Sequence, residues 1–188
     1  MEPSRKVSTK SGRALVLRPL KASDLDAVLD FANGIVRERR TNREIGIVSL
    51  DRHLTRAKER EFLDRLAEGA RKRRVVSVGA FDGKTLAGHC DVTGRSLAEE
   101  RHTGVLGIVI AEPYRGDGLG ELMVREALRR ARAFGITLVE LTAFENNARA
   151  RALYRKVGFK EVGIVPGKIL RDGRLLDEVV MYVSLPEE

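Results

Sequence analysis

The apolar segment Gly104-Val105-Leu106-Gly107-Ile108-Val109-Ile110-Ala111 runs almost directly into Arg115-Gly116-Asp117-Gly118-Leu119-Gly120. After it, apolar residues return with helical spacing at Leu119, Leu122, Met123, Ala127, Ala131 and Phe134, and Gly135 stops them. The first stretch reads as a buried strand and the last as an amphipathic helix. A strand feeding a helix through glycines commits the chain to a sheet with helices packed on it. It also leaves the amides of the helix start, with the positive end of its dipole, at the strand's end, where an anion can be held. Glycines at alternate positions keep Cβ atoms out of a phosphate's way. The same glycines also punctuate strand-to-helix turns that bind nothing, so this pattern alone leaves both readings open.

Around this unit the hydrophobic period alternates between 2 and 3.6. Arg13 to Leu20 reads as a strand. Ser23 to Glu38 reads as a helix with Ser23 as N-cap and Leu25, Val28, Leu29, Ala32 and Val36 on its apolar face. A charged loop follows, then a second helix from about Leu50 to Arg73 carrying Leu54, Ala57, Phe62, Leu66 and Ala70. The run Val75-Val76-Ser77-Val78 opens a strand that turns at Asp82-Gly83 and returns over Thr85 to Thr93. Ile136 to Phe144 reads as a strand, Asn147 to Val157 as a helix, and Phe159 to Leu185 as two strands joined at Asp172-Gly173. The order β-α-α-β-β-β-α-β-α-β-β implies a mixed sheet with helices on its faces. Residues 1–12 read as a flexible extension and 13–188 as one domain.

Composition narrows the function. Thirty-five basic residues against 27 acids give a net charge of +8, which raises the question of nucleic acid. Basic and acidic residues are interspersed, aromatics are 5% and Trp is absent, which argues against it. Cys90, the one cysteine, forms no internal disulfide, and no Cys/His cluster has metal-ligand spacing. Residues 1–14 lack a signal-peptide core, and no apolar run approaches the roughly 18 residues of a membrane span. A cytoplasmic protein with no metal and no membrane contact is the expectation.

The glycine turn does not carry a Walker pattern, because Glu121-Leu122 stand where Lys and Ser or Thr would follow, and it breaks the dinucleotide G-x-G-x-x-G pattern. Ile108-Val109-Ile110 followed by Arg115, Gly118 and Gly120 resembles motif A of the GNAT acetyltransferases, R/Q-x-x-G-x-G/A after the fourth strand. Asn147-x-x-Ala150-x-x-Leu153-Tyr154-x-x-x-Gly158-Phe159 is similar to the family's motif B. One departure is at Glu112, where the family often has proline; here Pro113 follows instead.

The resemblance implies an α/β GNAT-like fold: a mostly antiparallel central sheet, a splayed parallel pair and helices on both faces. It implies acetyl-CoA as co-substrate, lying in the gap between the splayed strands. The diphosphate would rest on the amides of Gly116, Asp117, Gly118, Leu119, Gly120 and Glu121 with Arg115. The pantetheine would pair with the backbone of Ile108, Val109 and Ile110, an amide there, that of Ile110, polarising the thioester carbonyl. Asn147 would bond the pantetheine arm. Tyr154 would serve the leaving thiolate; without the motif it reads as a packing aromatic. For the base that deprotonates the amine, Glu145 at the end of its strand is the expectation, with His89, Asp91, Glu99, Glu100 and His102 as further candidates. Phe144 and the first two helices would shape the acceptor site, where Asp26, Asp30 and Glu38 could attract a cationic amine. The implied activity is direct transfer of acetyl to a primary amine of a small metabolite, an amino acid, or a protein N-terminus or lysine, through a tetrahedral intermediate. Cys90 has no motif that would make it a nucleophile. A non-catalytic acyl-CoA-binding module and a basic nucleic-acid-binding domain are the alternatives. A homodimer is compatible with the resemblance.

Overall fold

The computed structural model describes residues 4–42 and 52–186. Twelve elements follow one another: β1 (Arg5–Ser8), β2 (Ala14–Arg18), α1 (Leu25–Arg39), α2 (Arg56–Arg71), β3 (Val75–Asp82), β4 (Thr85–Gly94), β5 (Thr103–Ile110), α3 (Leu119–Ala133), β6 (Leu138–Phe144), α4 (Ala148–Lys156), β7 (Lys160–Arg171) and β8 (Arg174–Ser184). The strands form one sheet in the order β1-β2-β3-β4-β5-β6-β8-β7. Every neighbouring pair is antiparallel except β5 and β6.

Alternation along β3 sends Val76, Val78 and Ala80 to one face and Val75 to the other. On the first face they meet Leu119, Met123, Val124, Ala127, Leu128 and Ala131 of α3, with Tyr154 and Val157 around α4. On the second, Phe81 and Leu86 meet Leu25 and Val28 of α1 and Leu63 and Leu66 of α2. Both helical stripes follow the 3.6-residue repeat, which is why the sequence revealed them.

Three boundaries differ from expectation, each through a polar contact. Ser23 is not the cap of α1: a 3-10 turn, Ala22–Asp24, precedes the helix, and Asp24 accepts from Lys21 N at 2.8 Å while Arg18 grips it at 2.7 and 2.8 Å. The expected helix start at Leu50 lies outside the described residues, and Leu54 precedes α2 in a connection held by Asn33, with Leu54 N to Asn33 Oδ1 at 2.8 Å. Thr55 caps α2 instead, accepting from Lys58 N. The segment expected to be a flexible extension contains β1, which pairs with β2 in register Val7 to Leu15. Only Val7 is apolar in β1, so no period marks it in the sequence, and charged residues suit an exposed edge strand. Arg5 ties it to α3, donating to Glu126 Oε2 at 3.2 Å. Glu126 also accepts from Arg130 Nε at 2.7 Å, and both side chains are 1% exposed. Although burial opposes its charge, the hydrogen bonds from Arg129 and Arg130 pull the Glu126 carboxyl down to about 2.

The parallel pairing of β5 with β6 spans only Thr103 to Val105 against Leu138 to Glu140. Beyond it, β5 stays on β4 up to Ile110 and β6 stays on β8 up to Phe144. The two central strands therefore part, and the sheet has a wedge-shaped gap opening toward Ile110.

Candidate active site

The gap is lined by backbone. Ala111 N donates to Ala87 O at 2.9 Å, and the antiparallel register continues through Val109 opposite His89 and Gly107 opposite Asp91. Odd-numbered residues of β5 thus spend their N–H and C=O on β4, and Leu106, Ile108 and Ile110 turn theirs toward the gap. Of the three residues expected along the pantetheine, Ile108 and Ile110 turn their backbone groups toward the gap; Val109 does not, because its backbone is directed at β4, which corrects its assignment to the gap. The Ile110 carbonyl accepts from Arg115 Nε at 2.7 Å, so its amide is the group directed into the gap.

At the end of β5 the turn into α3 takes positive φ at Gly116 (+83°) and Gly118 (+86°), the latter being the N-cap. That left-handed backbone is open to glycine at little cost and directs the first amides of α3 outward. Asp117, between them, points its carboxylate away from the amides. It accepts from Ser11 N at 2.7 Å and from the Thr9 and Ser11 hydroxyls at 2.5 Å each. Those hydrogen bonds, that of Ser11 foremost, hold its carboxyl below the ordinary range. Leu119 buries its side chain and contributes to the turn only through its backbone. Glu121 is braced by Lys156 of α4 at 2.5 Å and by Arg125 at 3.1 Å.

Two members of the expected anion site do something else. A Cβ on Gly120 would sit 2.9 Å from Leu153 Cδ2 and 3.3 Å from Ile110 Cδ1, so this glycine lets α3 approach α4 and β5 rather than a phosphate. Arg115 does not offer a free charge at the mouth: its guanidinium forms a fork with Glu38 of α1, Nη2 to Oε2 at 2.7 Å and Nη1 to Oε1. With its Nε on Ile110, it is a strut joining α1 to the end of β5.

Asn147 caps α4, its Oδ1 accepting from Ala150 N at 3.0 Å, which accounts for its place at that helix start. Tyr154 is 7% exposed, with its ring 5.8 Å from that of Phe159, and it shares a buried cluster with Cys90 and Ile108, which are paired across strands. Burial, with Cys90 nearby, pushes its phenol well above the usual value, so it keeps its proton. The Cys90 thiol is likewise pushed up by burial. It packs as a small apolar residue and is not a ready nucleophile.

Among the base candidates, the structure separates one group. Glu145 is tied to Arg151, Nη1 to Oε1 at 3.1 Å, at a half-open position. Glu99, Glu100 and His102 stand beside the start of β5, at the closed end of the gap. Asp91 stands beside its open part. Its partner Gly107 has no side chain, and a Cβ there would lie 3.3 Å from Asp91 Oδ1. The Asp91 side chain is 30% exposed. Burial raises its carboxyl to about 6, a Thr93 hydroxyl at 3.2 Å offsetting part of the effect. Beside it, burial lowers His89 to about 4, so the ring is neutral at pH 7. Its Nε2 is 3.0 Å from Ser77 Oγ, and Phe62 of α2 meets it edge-on at 5.6 Å. A lone polar residue in a strand gives no spacing signal that would rank Asp91 above the others; the missing side chain at Gly107 is the clue, and reading it requires the β4–β5 register.

Asp91 and Cys90 are neighbours on β4, so Asp91 lies on the α1–α2 face and the Cys90–Tyr154 cluster on the α3–α4 face. The gap in the sheet connects them. The acids expected to attract an amine lie along α1. Asp26 is paired with Arg56 and Glu38 with Arg115, and with Asp30 they line a groove of about 980 Å³ between α1 and the β3–β4 turn, near Glu112 and Tyr114.

The architecture is that of an acetyltransferase: the model of the acetyltransferase (GNAT) family matches residues 42–159. The chain belongs to that family. It is 38% identical over 89 residues to the N-alpha-acetyltransferase RimI of Mycobacterium tuberculosis, covering 46% of this chain and 53% of that one. It is 31% identical over 78 residues to an L-methionine sulfoximine/L-methionine sulfone acetyltransferase of Pseudomonas aeruginosa, covering 42% and 45%. The chain thus spans about half the length of these relatives. Over nearly its whole length, 92% of this chain and 99% of the other, it superposes on a GNAT-family acetyltransferase of Streptococcus pneumoniae with a TM-score of 0.79 and 27% identity.

Proposed function

We propose that the chain transfers acetyl from acetyl-CoA to an α-amine, that of a free amino acid or of an N-terminal residue. The observation that carries this is the parting of β5 from β6 beside Gly107, which joins an amide-lined gap to a carboxyl raised toward neutrality. The two curated relatives, one named for N-alpha-acetylation and one for amino-acid analogues, support the α-amine.

The residues present fit the donor. Gly116 and Gly118 present bare backbone for the diphosphate, with Arg149 Nη2 and the Lys10 stem against the places a Cβ would take, and the edge of β5 offers the pantetheine the backbone of Ile108. In this reading the acceptor enters on the α1–α2 face and Asp91 takes a proton from its ammonium, whose ordinary pKa is about 8 at a peptide N-terminus and higher in a free amino acid. The freed nitrogen attacks the thioester carbonyl carbon, and the Ile110 amide steadies the oxyanion. The tetrahedral nitrogen gives its second proton to water as the C–S bond breaks, and the thiolate leaves on the opposite face beside Tyr154, to be protonated from solvent. A thiol has a pKa of about 8.5, so complete proton transfer from a phenol raised above 10 is uphill. Tyr154 therefore donates a hydrogen bond to the sulfur and keeps its proton. Tyr154→Phe is expected to lower kcat about tenfold or more with the CoA dissociation constant changed less than twofold. Unchanged kcat would remove Tyr154 from the reaction.

The test of the function is an acceptor panel of amino acids, peptides with free N-termini and Nα-acetyl-lysine, read by release of free thiol from acetyl-CoA. Turnover with the first two and none with Nα-acetyl-lysine is expected. Thiol release confined to Nα-acetyl-lysine would overturn the α-amine. CoA binding without turnover on any amine would leave a binding module in place of an enzyme.

A further inference from the structure

Arg115, the one cation supplied by motif A, is neutralised by Glu38, yet a diphosphate brings two negative charges to the turn that follows it. Two other cations stand there. The virtual Cβ of Gly118 would lie 3.2 Å from Lys10 Cγ, 3.6 Å from Cδ and 3.5 Å from Cε, so the lysine stem runs along the open side of this glycine with its ammonium one bond further. The virtual Cβ of Gly116 would lie 2.6 Å from Arg149 Nη2, which reaches over from the first turn of α4. Both residues are exposed, and no carboxylate among the described residues lies in ion-pair reach of either. They flank the two positions where the backbone is bare.

The placement of Lys10 is built. It sits in the turn joining β1 to β2, closed by Thr9 N to Arg13 O and Gly12 N to Thr9 O at 3.0 Å each, with Gly12 at φ +85°. Asp117 anchors this turn to the glycine loop through Ser11 N and two hydroxyls, and Lys10 N donates to Asp117 O at 3.0 Å. An acid inside an anion cradle would repel the ligand. Here its charge is drawn outward and used to fix the turn that carries the lysine.

We propose that Lys10 and Arg149 form a two-sided cationic clamp on the diphosphate of CoA, with the β1–β2 turn as a structural part of the coenzyme site. This rests on the reading of the glycine turn as that site. The clamp supplies the charge compensation that Arg115 does not, through charge-assisted hydrogen bonds from either side of the backbone amides.

The test is calorimetric titration of the full chain with CoA, 3′-dephospho-CoA and pantetheine at two salt concentrations. Lys10→Met and Arg149→Met are each expected to weaken CoA about tenfold, to flatten the dependence on salt, and to leave pantetheine binding and the melting temperature unchanged. Lys10→Arg should restore most of the affinity. The same losses with 3′-dephospho-CoA would place the clamp on the diphosphate; losses that vanish with it would put these cations on the 3′-phosphate and overturn the proposal. Wild-type affinity in both variants, or equal loss of pantetheine, would also overturn it. A wild-type chain that binds no CoA would remove the coenzyme site itself, an outcome distinct from variants that bind normally.

Discussion

Asp91→Asn is expected to lower kcat/KM by about 100-fold or more at pH 7, the usual contribution of a positioned general base. In the unsubstituted chain, kcat/KM should rise as pH increases through about 6, because the carboxyl must be ionised to take the proton. The asparagine variant should lose that limb and keep only the rise due to the acceptor's own amine. A stability measurement separates this from unfolding. The folded carboxyl titrates near 6 against an ordinary 3.8, so the folded state binds the extra proton between those values, and stability falls as pH rises across that window. Removing the charge should therefore leave the melting temperature at pH 7 equal or higher. A variant within threefold of the parent activity, with CoA affinity intact, would exclude Asp91 as the base. The site would then have to use water, or Glu145 released from Arg151.

Gly118→Asp is expected to abolish CoA binding at millimolar concentrations. At φ +86° any side chain is strained by roughly 1–2 kcal/mol, and the new Cβ would press on Lys10 Cγ at 3.2 Å. The carboxylate would then either pair with Lys10 or face the phosphates, and both oppose the ligand. Melting curves give the readout: CoA should raise the parent's melting temperature in proportion to the logarithm of its concentration, and the variant's not at all. Gly118→Ala isolates the steric part and should retain weakened binding. A Gly118→Asp chain with parental CoA affinity would mean the phosphates lie elsewhere. Gly120→Ala separates the two roles of the turn: because Leu153 Cδ2 would be 2.9 Å away, its cost should appear in the packing of α3 on α4 rather than in ligand affinity.

Much of the fold is carried by local periodicity. The apolar stripe of α3, the alternation in β3 and β4 and the glycines after α3 and α4, Gly135 and Gly158, are decided within a few neighbouring residues, so the elements were legible along with the order of all but one strand. β1 was not, since its residues gain their place from β2 and Glu126 and show no pattern of their own. In the candidate site, the backbone placement of Ile108, Ile110, Gly116 and Gly118 was legible because it follows from a strand, a turn and a helix in sequence. The roles of side chains were not. Arg115 looked free until its partner 77 positions upstream was in view, and Glu145 looked available until Arg151 was. Ion pairing between distant residues leaves no periodic trace, and a sequence this rich in both signs of charge allows many pairings.

By itself, then, the amino-acid sequence determined which segments become strands and helices and where the amides of α3 are laid bare, because those outcomes depend on contacts a few residues apart. Long-range packing settled which charges are spent, which glycine serves packing, and that the Asp91 carboxylate lies against Gly107 where β5 leaves β6. These depend on strand register and on helices crossing, where residues tens of positions apart compete for the same neighbour and burial settles which of them stays charged.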